Sequence, residues 1–387
     1  MLTKHRLSKA SLLLSVILSV SLRLCAQTYD QKIAQAAALL QQNNFPSALA
    51  VFKDALLDTA HVGMYDLYYA ARTAVHCNDY PLALRWMSDA QKKGLGLGSG
   101  ELTAIKNDST FKPLYGYRQW TELVRAMDEA YSEKTARDQQ IAQAWTTGLD
   151  AHRISGAQGM PYHQPKPGYA RYFSRADTVS VPYLVYVPAS YKAQRPIRAI
   201  VYLHGGVAAQ ADFDDANPDI RTEPIFAVAD SLNTLVIYPF AKKAFGWLDQ
   251  RAAFEQVLTI LDSASTCYHI DRHQVYMVGM SNGGTACFWF ATHERTPFRG
   301  FLALSALPKL SIGEIDFTRI SPTAPLYSVN AQDDEVFPYA DVARIYNDKK
   351  SVAPGWHFLT LPLGSHGFIY GPNGAALLQQ YLLKMLQ

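Results

Sequence analysis

The chain runs to 387 residues, long for one domain, and its make-up (49% hydrophobic, 18% charged) fits two folded domains. The formal net charge of +3 belongs to the first 26 residues. Without Lys4, Arg6, Lys9 and Arg23 the balance is 32 basic against 33 acidic residues, which argues against a nucleic-acid partner. Beyond that segment Cys77, Cys267 and Cys287 have no close spacing and so no metal signature. A Cys267–Cys287 bridge in an oxidising compartment and two separate apolar core thiols are both open readings.

Residues 1–26 join the basic Lys4, Arg6 and Lys9 to an apolar run from Leu12 to Val20 and a Leu24-Cys25-Ala26 exit. This is the pattern of a secretory signal peptide cleaved after Ala26, too short for a stable membrane span, and the expected location is secreted or periplasmic. Cys25 raises a lipoprotein reading, ranked second because Arg23 and Leu24 suit a lipid-attachment box poorly. No other stretch is apolar enough to cross a membrane.

Residues 27–130 hold a repeat. The segment from Phe45-Pro46-Ser47-Ala48-Leu49 to Asp54-Ala55 recurs from Tyr80-Pro81-Leu82-Ala83-Leu84 to Asp89-Ala90 at an offset of 35 residues. That is close to the ~34-residue period of tetratricopeptide helix pairs, which this region resembles. Asn43-Asn44 and Asn78-Asp79 supply the turns, and an atypical piece from Leu102 to Met127 would cap the stack. Packing against the rest of the protein is the plain role for so few copies; contacts to a protein or a substrate are the alternative. Residues 131–168, polar and then rich in Pro and Gly, read as a linker.

From 169 to 387 strand-like runs fall at about 171–177, 182–188, 198–203, 234–239, 274–280, 299–305, 325–330 and 356–361, with helical patterns between them. That alternation predicts an α/β fold with parallel βαβ units. The stretch from Leu307 to Pro322 is too short for a large lid, and the loop from Val207 to Arg221 is the candidate pocket rim.

Four pieces of chemistry sit on this frame. Gln274-Val275-Tyr276-Met277-Val278 leads into Gly279-Met280-Ser281-Asn282-Gly283-Gly284 and then a helical segment, the strand, turn and helix of a nucleophile elbow. Its serine is held exposed on a strained turn, so small residues must flank it. The strand Leu326 to Asn330 runs into Asp333-Asp334-Glu335, where an acid can orient an imidazole; Asp334, four residues before Pro338, is preferred and Asp333 is the alternative. His366, in Gly364-Ser365-His366-Gly367 and 32 residues after Asp334, is the expected base. The apolar run from Ala199 to Leu203 ends in His204-Gly205-Gly206, whose bare backbone can supply one oxyanion donor while Asn282 supplies the other. Gly206 is preferred over Gly205, and His204 is expected to shape the loop.

With these residues, and with Tyr183-Leu184-Val185-Tyr186-Val187-Pro188 and Ile270-Asp271-Arg272, residues from about 170 onward resemble the α/β-hydrolase superfamily. They are similar in particular to secreted carboxylesterases of the polyhydroxybutyrate depolymerase and feruloyl esterase kind. The resemblance implies an eight-stranded, mostly parallel sheet, preceded here by a small all-α domain, and hydrolysis of carboxylic esters through an acyl-enzyme on Ser281, Asp334 and His366. It implies no metal or organic cofactor. The chain carries no clear sugar- or polyester-binding signature, so the substrate does not transfer with the fold. Phe245, Trp247, Phe337 and Phe368 hint at an aromatic, long or polymeric ester. A prolyl oligopeptidase-like peptidase is the nearest rival, and a helical-repeat binding protein with an inactive hydrolase domain is the rival from another class.

Overall fold

The computed structural model describes residues 28–156, 162–293 and 297–386, so the expected signal at 1–26 lies outside the described residues. The chain divides into two units between Asp138 and Gln139.

In the first unit α1 (Tyr29–Gln41), α2 (Phe45–Ala55), α3 (Met64–His76) and α4 (Tyr80–Lys92) follow one another through short turns. The 35-residue offset holds at the backbone. Asn43 and Asn78 both take positive φ, 56° and 58°, and Asn44 and Asp79 both stand at the start of the next helix with a proline in its first turn. Asparagine tolerates the left-handed region, and proline lacks only an N–H that the first turn would leave unused. Ala36, Ala70, Ala71, Ala74 and Ala83 are wholly buried, which lets the helices approach closely, and Phe52, Trp86 and Met87 fill the space between. Helix α5 (Glu101–Asn107) and the start of α6 (Arg118–Ala151) extend that core through Leu102, Trp120, Leu123 and Met127.

The expected linker needs correcting. Residues 131–151 continue α6, a helix of 34 residues, so the boundary drawn at 130/131 falls inside it. Polarity hid the helix. Arg118–Glu122, Arg125–Glu129 and Lys134–Asp138 are ion pairs at i,i+4, which support the helix beside the apolar contacts of Trp120, Leu123 and Met127. Toward its end Trp145 and Leu149 enter the core of the second unit, so that unit starts well before residue 169.

The second unit is built on β1 (Gly168–Ala176), β2 (Val179–Val187), β3 (Ile197–Leu203), β4 (Thr234–Pro239), β5 (Ile270–Met280), β6 (Phe301–Leu304), β7 (Leu326–Ala331) and β8 (Trp356–Leu361). They form one sheet in the order β1-β2-β4-β3-β5-β6-β7-β8. The β1–β2 and β2–β4 pairs are antiparallel, and every pair from β4 through β3 to β8 is parallel. Helices α7 (Pro224–Ala229), α8 (Arg251–Cys267), α9 (Asn282–Thr292), α10 (Tyr339–Lys349) and α11 (Gly374–Met385) complete the unit.

Side chains alternate across β3: Ala199, Val201 and Leu203 enter one core, Ile200 and Tyr202 the other. Both faces are covered, which is why the central strands read as unbroken apolar runs. This is the α/β-hydrolase fold. The expected strands are all present. β5 begins four residues early, at Ile270. Cys267 and Cys287 are buried free thiols in the same core.

Candidate active site

Ser281 sits between β5 and α9 with φ 53° and ψ −113°, a conformation that costs on the order of 1–3 kcal/mol for a residue with a Cβ. The turn is tight enough to exclude side chains around it. A Cβ on Gly279 would lie 2.1 Å from the Gly283 carbonyl oxygen, and one on Gly283 would lie 1.9 Å from that of Leu203. These two glycines are therefore required by close approach of backbone to backbone.

The expected residues come together. Ser281 Oγ is 2.9 Å from His366 Nε2, and His366 Nδ1 is 2.9 and 3.0 Å from the two oxygens of Asp334. An ionised carboxylate only accepts, so Nδ1 carries the proton and Nε2 is left to accept from the serine hydroxyl. Asp334 is buried, 6% exposed, and its Oδ1 also accepts the N–H groups of Val336 and Phe337. Asp333 does not reach the imidazole. It accepts the N–H groups of Gly364 and Ser365, and these backbone bonds pull its pKa down. Ser305, absent from the sequence reading, donates its hydroxyl to the His366 carbonyl at 2.6 Å. Nothing in its local sequence sets it apart.

The loop after β3 meets the serine from the other side. Gly206 takes φ 71°, and a Cβ on Gly205 would meet the Cβ of Ser281 at 3.0 Å. Asn282 opens α9, so its N–H has no acceptor within the helix. Its side-chain oxygen accepts the Val207 N–H at 3.1 Å and ties the two loops together. His204 is buried and neutral: Nε2 accepts the Ala241 N–H, Nδ1 donates to the Gly205 carbonyl, and burial lowers its pKa to about 4. It shapes the loop, as expected.

Ser281, Asn282, Gly206 and His366 open into a cavity of about 690 Å³, rimmed by the loop from Val207 to Thr222. Of the aromatics singled out earlier only Phe337 lines it, edge-on to His366 at 5.2 Å. Trp247 is buried and donates to the His204 carbonyl, Phe368 is buried in the core, and Phe245 packs on Phe213.

The far wall holds a group the sequence did not disclose. Glu223 accepts from Tyr202 at 3.3 Å, Tyr238 at 3.4 Å and Tyr370 at 3.2 Å. Burial raises its pKa to about 6, against the three hydroxyls, which lower it. The tyrosines come from β3, β4 and the turn after His366, so no local pattern could have joined them.

No protein-family model matches the chain, and no curated protein matches it. Among solved structures it is similar to the substrate-bound fluorophosphonate-binding serine hydrolase F of Staphylococcus aureus, at 16% identity and a TM-score of 0.44, over 57% of this chain and 100% of that one. It is similar to the S-formylglutathione hydrolase of the same organism, at 15% and 0.45, over 57% and 98%. A ferulic acid esterase aligns at 17% and 0.44, over 56% and 97%. Likeness this distant carries no weight on activity; the fold rests on the sheet order and the elbow.

Proposed function

We propose that the protein is a serine hydrolase that cleaves carboxylic esters through an acyl-enzyme. The observation that carries this reading is His366 hydrogen-bonded through one nitrogen to Ser281 and through the other to the buried Asp334, with Ser281 on a strained elbow. His366 takes the serine proton as Oγ attacks the ester carbonyl, and Asp334 stabilises the imidazolium. The Gly206 and Asn282 N–H groups hold the oxyanion that develops. His366 then protonates the leaving alkoxide, and water repeats the two steps to release the acid. Residues 1–26 act in this reading as an export signal, and the tetratricopeptide-like repeats serve the enzyme by packing or by contact with a partner.

A fluorophosphonate probe should label the purified protein, and Ser281→Ala should abolish both labelling and hydrolysis of 4-nitrophenyl butyrate. Residual catalysis in the variant should not exceed the ~10³–10⁴ over water left by binding and the oxyanion hole. An unlabelled wild type would return the protein to the class of inactive hydrolase domains.

A further inference from the structure

The wall of the cavity has a consistent charge. Asp214, Asp219 and Glu223 line it, and among the described lining residues there is no lysine or arginine. Asp214 is held by the Asn217 side-chain amide. Glu223 is partly buried, and its hydrogen-bond partners Tyr202, Tyr238 and Tyr370 are neutral. A carboxylate so placed has lost much of its water and gained no counter-charge, which leaves an unmet electrostatic demand facing the cavity. Phe337 and Tyr370, less buried than Tyr238 and Phe240, line the same space, and an aromatic ring at a cavity wall also favours a cation. An anionic substrate would be repelled by three carboxylates, and a neutral one would bring Glu223 no counter-charge.

We propose that Glu223 is a specificity-determining residue that binds an ammonium group, so that the preferred substrates are esters whose acyl or alcohol part carries a positive charge. The inference rests on the serine hydrolase reading for the word substrate, but the cation site stands on the cavity wall alone.

Ionisation of Glu223 gives the site a signature. Its raised pKa of about 6 means that the carboxylate is charged above that pH and neutral below it. Facing it are the three tyrosine hydroxyls, from β3, β4 and the turn after His366, with Asp214 and Asp219 on the rim and His366 across the cavity. Comparing a cationic ester with its neutral isostere at each pH removes the effects that act on both alike, protonation of His366 among them.

The test is calorimetric binding of butyrylcholine and of 3,3-dimethylbutyl butyrate to full-length Ser281→Ala, beside kcat/KM for the same two esters with the wild type. The cationic ester should bind, and be hydrolysed, about tenfold better near pH 7.5, and the ratio should fall toward one near pH 5. Glu223→Gln in the Ser281→Ala background should collapse the binding ratio. Equal affinities near pH 7.5, a ratio unchanged between the two pH values, or a ratio that survives in a folded Glu223→Gln protein would each overturn the inference. A wild type without turnover whose Ser281→Ala form still prefers the cation would sink the hydrolase reading and leave the cation site intact. Turnover of 4-nitrophenyl butyrate with no preference in either assay would do the reverse.

Discussion

Asp333 and Asp334 are neighbours in the chain that hold different parts of the same histidine loop: Asp334 grips the His366 ring, and Asp333 grips the backbone of Gly364 and Ser365 just before it. The choice between two adjacent acids thus becomes a division of labour.

Asp334→Asn should leave the imidazole in the wrong tautomer and lower kcat by ~10⁴. Asp333→Asn keeps a carbonyl oxygen that can still accept from Gly364 and Ser365, so its loss should be far smaller. Steady-state kinetics on 4-nitrophenyl butyrate separate the two. The reverse order would exchange the roles assigned here.

Asn282 allows a backbone donor to be told from a side-chain donor. Asn282→Ala keeps the backbone N–H that the proposed reaction assigns to the oxyanion but loses the bond to Val207. One net hydrogen bond is worth ~0.5–1.5 kcal/mol, so kcat should fall by about tenfold or less, against ~10²–10³ for a lost oxyanion donor. A thousandfold fall would mean that the Asn282 side chain itself holds the oxyanion.

His204 gives the stability a pH dependence of known sign. Its folded pKa of about 4 lies below the 6.5 of an exposed imidazole, so the unfolded chain binds the proton more readily. Stability should therefore fall as pH drops from about 6.5 to about 4, by up to ~3 kcal/mol from this residue. Glu223, whose pKa is raised, works in the opposite direction between about 4.5 and 6. Urea unfolding of the wild type and of His204→Asn across that range isolates the histidine, and the variant should lose less stability on acidification.

Two truncations test where the second unit begins. A chain starting at Gln139 keeps Trp145 and the almost fully buried Leu149, together with the Asp150–Arg171 ion pair. A chain starting at residue 169 loses all three. Burial of one such apolar side chain is worth ~1.5–3 kcal/mol, so the shorter chain should unfold at a clearly lower temperature by circular dichroism. Equal midpoints would restore the boundary read from the sequence.

Sequence patterns gave away the strands because both faces of the sheet are covered, and they gave away Ser281, Asp334 and His366 because the elbow and its loops impose local spacing. The continuation of the Arg118–Ala151 helix from residue 131 onward was hidden because it is mostly polar, and apolar anchors such as Trp145 and Leu149 are too few there to mark a stripe. Glu223 with its three tyrosines was hidden for another reason. Tyr202 and Tyr238 look like any aromatic in a buried strand, and only the crossing of β3, β4 and the turn after His366 brings their hydroxyls to one carboxylate.

The rim from Val207 to Thr222 enters and leaves the sheet between β3 and β4 and contributes no strand. The reacting groups downstream of it are held instead by β5, β7, β8 and the glycine crossing at the elbow. Residues of this loop beyond the Val207–Asn282 hydrogen bond can therefore vary in length and sequence without moving the strands that carry Ser281, Asp334 and His366.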